Sequence, residues 1–433
     1  MLSSVAMTAT DVQRTVEAVW RIEAAKLIAG LARFTRDVGA AEELAQDALV
    51  TALEQWPKTG IPDNPGAWLM TTARNRGIDQ LRRRRMLARK HDTLASELEM
   101  EQAMSGAKVE AGAEDEIGDD LLRLIFTACH PLLPTEARTA LTLRLLAGLT
   151  TAEIARAFLV PEPTIAQCIV RAKRTLSEAQ VPFEIPRGEE LRRRLSSVLE
   201  CVYLLFNEGY AATAGGDWMR PALCEEALRI GRILAGLAPD ESEVHGLVAL
   251  MEIQASRLRA RTGPDGEPVL LLEQNRALWD RVLIHRGLIA LARGESLGET
   301  RGPYLLQAAI AACHARAATA GDTDWVMITA LYDELARLTP SPVIELNRAV
   351  AVAMAYGPAA GLELADALAA DGALKSYHLL PSVRGDLLLK LGRRVEARSE
   401  FERAAQLTQN VRESRLLLDR AAACIPMENS WPI

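Results

Sequence analysis

Long apolar runs are missing from this chain. None of its 433 residues lies in a stretch approaching the ~18 apolar positions that a membrane span needs. The opening MLSSVAMTATDVQRTVEAVW also lacks the basic start and apolar core of a secretory leader, so a cytoplasmic protein with no membrane partner is expected. Cysteine is scarce and scattered: the six (Cys129, Cys168, Cys201, Cys224, Cys313 and Cys424) form no C-x-x-C pair, which argues against a disulfide framework and for reduced, mostly buried thiols. Cys129-His130 and Cys313-His314 are neighbours that point to different helix faces, so no metal site is expected. Aromatics make up only 4%, and period-two alternation of β-branched residues is nearly absent, which excludes a sheet-built protein. No nucleophile-base pair or phosphate-loop pattern occurs, so the expectation is a non-enzyme with no cofactor.

Alanine and leucine dominate the apolar half of the composition, which favours an all-α fold. The length exceeds one ordinary core, and about 100–200 residues per domain gives two to four domains. Charge divides the chain further. The net charge is −7, yet residues 74–85, RNRGIDQLRRRR, hold six arginines. Residues 92–120 hold ten acidic residues and one basic, and residues 181–433 hold 28 basic against 33 acidic. Two modestly basic segments therefore flank an acidic connector, expected as a solvated linker over residues 91–119, and an acidic extension follows.

In the first basic segment, residues 10–90, Val12, Val16, Val19, Ala24, Leu27, Ile28, Leu31 and Phe34 recur at helical spacing. Leu44, Ala48 and Leu53 mark a second helix. Pro57, Gly60, Pro62, Pro65 and Gly66 break the chain before a third, whose inward stripe is Trp68, Leu69, Ala73, Ile78 and Leu81. On that helix Arg74, Arg82 and Arg85 lie within about 80° of one another, and Arg83 and Arg84 broaden the stripe. Planar, permanently charged guanidinium groups suit the phosphates of a nucleic-acid backbone, though a plain solvated face has the same pattern.

The second basic segment, residues 120–180, breaks where a helix-turn-helix breaks. Pro134 opens a helix that Gly148 ends, Thr150 or Thr151 caps AEIARAF, and Pro163 sits in the first turn of the next helix. Ile165, Ile169, Ala172 and Leu176 form the buried face of that helix, with Ala155 small enough for a close crossing. Thr164, Ala166 and Gln167 then face outward where base edges meet a major-groove helix, and Arg171, Lys173 and Arg174 suit phosphates.

Together these modules resemble the extracytoplasmic-function sigma factors of bacterial RNA polymerase. The resemblance implies that AEELAQD docks on core RNA polymerase through Glu42, Glu43, Gln46 and Asp47. It further implies that the helix carrying Arg74, Arg76, Arg82, Arg83, Arg84 and Arg85 meets the minus-ten element of promoter DNA. The helix-turn-helix would read the minus-thirty-five element, with the two modules tethered rather than fused. The loop from Thr59 to Gly66, with Trp68 beside it, is a candidate for capturing an unstacked base. The sequence departs from the family pattern at Leu159, Pro161, Ala166 and Cys168, which bears on the turn and on base readout.

Residues 187–425 form the extension. Helical patterns alternate with breaks at GYAATAGGDWMRP, GLAPDESE, RTGPDGEP, RGESLGETRGP and AYGPAAG. Gly385, Leu388, Ala397, Phe401 and Ala404 fall at tetratricopeptide-like positions, and Ala360, Leu364 and Ala367 reproduce the last three offsets earlier in the chain. The whole length resembles the sigma-factor subgroup with such an extension, expected to regulate activity in cis through intramolecular contact with the sigma modules. Phe206 to Tyr210 are candidate contacts, and Tyr304, Gln307, His314, Asp324 and Trp325 a pocket candidate. A DNA-binding regulator that uses the repeats as a partner scaffold and never joins polymerase is the alternative.

Overall fold

Helices account for nearly all regular structure in the computed structural model, which describes residues 9–87 and 114–425 apart from Leu159, Thr213, Gly216, Asp217, Asp265 and Glu299. Most of the acidic connector and Leu159 therefore lie outside the described residues. The chain divides into two compact units, Met1–Val202 and Tyr203–Ile433.

Unit 1 begins with α1 (Ala9–Thr35), α2 (Val38–Thr59) and α3 (Pro65–Leu87). Val16, Ala24, Leu27, Ile28 and Leu31 are buried as their spacing predicts, and Asp37 caps α2 by accepting the Ala40 N–H at 2.9 Å. Two details differ from the sequence pattern. Leu53 is 41% exposed, and the core is filled one residue earlier and three later by Ala52 and Trp56. Pro57 lies inside the last turn of α2, so the break starts at Gly60, whose φ of 86° favours glycine.

The second module is α4 (Glu114–Ala128), α5 (Thr135–Leu145), α6 (Thr151–Phe158) and α7 (Glu162–Glu178). The last residues of the expected linker, 114–119, are thus the first turns of α4. Its Leu121, Leu124 and Ile125 pack into the core beside α1. The two modules are accordingly packed together within unit 1, where a tether alone was expected. α8 (Gly188–Tyr210) begins in this unit: Arg194 donates to the Phe126 carbonyl at 2.9 Å and Ser197 to that of Cys129 at 2.7 Å. The unit boundary thus falls within this helix and past residue 187, the expected start of the extension.

Unit 2 continues with α9 (Pro221–Leu237), α10 (Ser242–Ala255), α11 (Arg281–Leu297), α12 (Pro303–Arg316), α13 (Trp325–Leu338), α14 (Pro342–Tyr356), α15 (Pro358–Asp371), α16 (Leu379–Lys390), α17 (Arg394–Leu407) and α18 (Val411–Ala423). Proline opens α9, α12, α14 and α15, where a missing N–H costs nothing. Consecutive helices pack as hairpins, α10 on α11, α14 on α15 and α16 on α17. Gly385 lets α16 approach Phe401 of α17, since a Cβ there would lie 2.8 Å from the ring. In the neighbouring repeat Leu364 is only partly buried and Ala367 is exposed, whereas Gly361 and Ala365 are buried, so the repeat register is one residue off the expected Ala360, Leu364 and Ala367. RGESLGETRGP also breaks later than expected, because α11 runs on to Leu297. The β structure among the described residues is a parallel two-residue pair, Ala214–Gly215 with Gln409–Asn410.

Candidate polymerase-docking and promoter-DNA surfaces

The expected docking residues do not share one environment. Glu43 is exposed and Gln46 and Asp47 are half-buried, but the Glu42 side chain is only 2% exposed. Its carboxylate accepts from Arg144 Nε at 2.6 Å, pairs with Lys173 and takes a hydrogen bond from Gln46. Arg144 belongs to α5 and Lys173 to α7, so both cations come from the helix-turn-helix module. Arg144 also donates to the Leu149 carbonyl at 3.0 Å, which ties the same guanidinium to the turn before α6. Two further bonds join the modules. Ser177 donates to the Asp37 carboxylate at 2.9 Å, and Arg33 lies 3.5 Å from Asp120.

The arginine helix is α3. Its Arg74 is half-buried over the Phe34 ring at 4.7 Å, a cation–π contact, with Arg33 on the same ring at 4.9 Å. Burial and the Arg33 charge pull the Arg74 pKa down. Arg76 sits 3.4 Å from Asp47 in a surface pair, and Arg82 is exposed. The α3 helix carries Arg83, Arg84 and Arg85 in its last turns, though their side chains lie outside the described residues. Trp68 meets Trp56 edge to face at 5.4 Å, and so anchors the core beneath the loop from Gly60 to Asn64. In that loop Asn64 accepts the Ala67 N–H and caps α3.

The helix-turn-helix forms from the signals its sequence carries. Gly148 has φ +67° at the stop after α5. Thr150 and Glu153 then make a reciprocal capping box, Glu153 accepting the Thr150 N–H at 2.8 Å and Thr150 Oγ1 accepting the Glu153 N–H at 3.1 Å. Ile165, Ile169, Ala172 and Leu176 are buried on α7, as is Ala155 beneath it. Thr164, Gln167, Arg171 and Arg174 are exposed, and Ala166 is half-buried. Arg171 reaches back to Gln167 at 3.5 Å and Arg174 lies 3.4 Å from Glu178. Lys173 departs from this outward set because it turns to Glu42. Val170 was not singled out from the sequence, yet it is 63% exposed, one turn after Ala166 and Gln167. The signal was available: Val170 is the β-branched apolar residue that lies off the stripe of Ile165, Ile169, Ala172 and Leu176.

In unit 2 the residues of the pocket candidate serve packing. Tyr203 meets Tyr304 edge to face at 5.5 Å and donates to Gln307 at 3.1 Å. His314 meets Trp325 at 5.1 Å, and Asp324 caps α13 by accepting the Met327 N–H at 2.9 Å. Phe206 is buried and stacks on Tyr210, while Glu208 pairs with Arg220. Among the described residues no group of His, Cys, Asp or Glu is placed to hold a metal, and no helix is long and apolar enough to cross a membrane.

A three-helix module carrying a basic helix, followed by a helix-turn-helix, defines the class. Residues 22–86 match sigma-70 region 2 and residues 123–176 match sigma-70 region 4. Residues 194–295 match a family of unknown function, DUF6596. An uncharacterised protein of Rhizobium meliloti (strain 1021) is 43% identical over 398 residues, covering 91% of this chain and 92% of its own length. No solved structure matches. The chain belongs to the sigma-70 family and is an extracytoplasmic-function-like sigma factor with a C-terminal extension. Sigma factors of this kind bind core RNA polymerase and promoter DNA to direct transcription initiation.

Proposed function

We propose that this sigma factor docks on core polymerase through Glu42, Glu43, Gln46 and Asp47 and meets promoter DNA through two surfaces. Arg74, Arg76, Arg82, Arg83, Arg84 and Arg85 serve the minus-ten element. Thr164, Ala166, Gln167 and Val170 face bases at the minus-thirty-five element, with Arg171, Lys173 and Arg174 on flanking phosphates. The observation that carries the reading is the Glu42–Lys173–Arg144 cluster. A docking carboxylate and a DNA-facing cation neutralise each other, so the closed arrangement of unit 1 withholds both from their partners. Docking then requires that Glu42 exchange its intramolecular cations for those of polymerase.

We further propose that the extension regulates this exchange in cis. α8 supports it, because the helix anchored by Arg194 and Ser197 against the helix-turn-helix module is covalently continuous with the extension. Runoff transcription with core polymerase on a genomic promoter pool tests both statements. Full-length protein directs initiation from a defined promoter set, and a chain ending at Val202 does so with altered efficiency. Failure of both forms to initiate refutes the sigma reading on which the residue assignments rest; unchanged activity of a folded truncated chain refutes regulation by the extension.

A further inference from the structure

The long connection between α10 and α11 buries an unusual group of cations. Arg257, Arg261 and Arg276 are 9%, 8% and 8% exposed, and His314, from α12, is 9% exposed. Shared rings link the three guanidinium groups. Arg261 lies 3.5 Å from the Tyr210 ring centroid and Arg257 5.8 Å from it, while Arg257 and Arg276 lie 5.7 and 4.8 Å from that of Trp279. Trp218 stacks on Arg261 as well, at 4.5 Å.

A buried guanidinium normally meets a carboxylate, because its charge is costly to desolvate alone. Here, among the described residues, none of the three forms an ion pair. Arg276 is committed to the fold, donating to the carbonyls of His314 and Ala317 at 2.6 and 2.7 Å and to Thr323 at 3.2 Å. Arg257 donates to Gln254, and the side chain of Arg261 makes no hydrogen bond to any described residue. Unpartnered donors are concentrated at the same place: Nε of all three arginines and the indole N–H groups of Trp218 and Trp279 have no acceptor. Burial pulls the Arg261 pKa down to about 10, as expected for a cation without a counter-ion. Burial and the charges of Arg257 and Arg276 push His314 to about 4, so it adds no charge at neutral pH.

We propose that this cluster is a binding site for a phosphate-bearing small molecule, whose oxygens accept from Arg257 and Arg261. Planar guanidinium forks match tetrahedral oxyanions in pairs, and a phosphate monoester carries close to two negative charges at neutral pH. A dianion therefore neutralises Arg257 and Arg261, which make fewer hydrogen bonds to the fold than Arg276 does, whereas a monocarboxylate leaves one of the two in excess. The cation–π stacks hold both groups in place before the ligand arrives. The site straddles the DUF6596 match and the helix after it, and its binding chemistry does not depend on whether the extension regulates the sigma modules.

Thermal unfolding of the full chain tests the site with inorganic phosphate, glycerol phosphate and succinate, each against sodium chloride at equal ionic strength. Saturable stabilisation by phosphate is expected, tighter for the ester if the natural ligand is an ester and equal if it is the free ion. Arg261→Met is expected to abolish the response while leaving the ligand-free Tm unchanged or higher, since it removes an unpaired buried charge. Arg261→Lys keeps the charge but not the fork and is expected to bind about tenfold more weakly, the loss of one charge-assisted hydrogen bond. It decides the question if Arg261→Met fails to fold. The proposal is overturned by a response no greater than that to sodium chloride, by a response to succinate alone, or by phosphate binding undiminished in these variants.

Discussion

Arg144→Met separates packing from competition at the junction of the two sigma modules. The substitution leaves every residue assigned to docking or DNA contact in place and removes one of the two cations that neutralise Glu42. Breaking a buried ion pair by deleting one partner costs about 3–5 kcal/mol. Lys173 still faces the carboxylate, and Arg144 itself is 21% exposed at its side chain, so the lower figure of about 2–3 kcal/mol is appropriate here. At 1.4 kcal/mol per factor of ten, the closed arrangement is weakened about 30–140-fold relative to an open one. Two assays should then move in opposite directions. Denaturant unfolding of the full chain should show loss of stability in unit 1, while titration against core polymerase should show tighter binding, because a larger fraction of the protein is competent to dock. Loss of stability with unchanged or weaker polymerase affinity would falsify the idea that the contact competes with docking. Arg144→Lys should fall between, since one ammonium cannot serve both Glu42 and the Leu149 carbonyl.

Arg171→Ala should weaken promoter binding at all sequences alike and lower the log–log salt slope by about 1, as measured by fluorescence anisotropy across a salt series. Val170→Ser, by contrast, should change preference among promoters and leave the salt slope alone. Gly385→Ala places a methyl group 2.8 Å from the fully buried Phe401 ring and should cost about 1–3 kcal/mol by denaturant unfolding. The depressed pKa of His314, about 4 against an ordinary 6.5, has a defined sign. Between those values the unfolded chain binds a proton that the folded chain refuses, so this contribution to stability is complete above pH 6.5, falls as pH drops and levels off below pH 4. The loss is up to about 3 kcal/mol, and His314→Phe should flatten that part of the pH–stability curve.

Local signals carried much of the fold. The helix-turn-helix was legible because its punctuation is chemical: Pro134, Gly148 and Pro163 act through their own backbones and Thr150 through its own hydroxyl, and each stands where the structure uses it. The buried stripe of α7 follows for the same reason. The errors share a cause, which is that periodicity identifies a face but not its edge. Leu53 and Trp56 both lie near the α2 stripe, and only packing against Trp68 decides that the larger indole is the buried one. The repeat register slipped because alanine is so frequent that several offsets fit, and the structure buries Gly361, Leu362 and Ala365 rather than Ala360, Leu364 and Ala367. The charge clusters were least legible. Arg257, Arg261 and Arg276 look like ordinary surface arginines in a loop, and nothing in their sequence spacing shows that two aromatic rings bring them together. Glu42 likewise reads as one of several exposed docking acids, because its partners are 102 and 131 positions away in the chain.

That separation gives the Glu42 cluster its mechanistic interest. If polymerase draws Glu42 out of the cluster, Lys173 loses its counter-ion and becomes free for a phosphate. If promoter DNA engages Lys173 first, Glu42 is left with Arg144 alone and is more readily surrendered to polymerase. Both ligands thus stabilise the open arrangement, and linkage requires their effects to be equal: DNA must raise polymerase affinity by the same factor by which polymerase raises DNA affinity. Lys173→Met uncouples the two, because it removes the shared ion pair whichever partner arrives first. In that variant the two affinities, measured separately and together by anisotropy, should show a reduced coupling factor even though each binary complex still forms. A coupling factor equal to wild type would place the communication between docking and DNA binding elsewhere in unit 1.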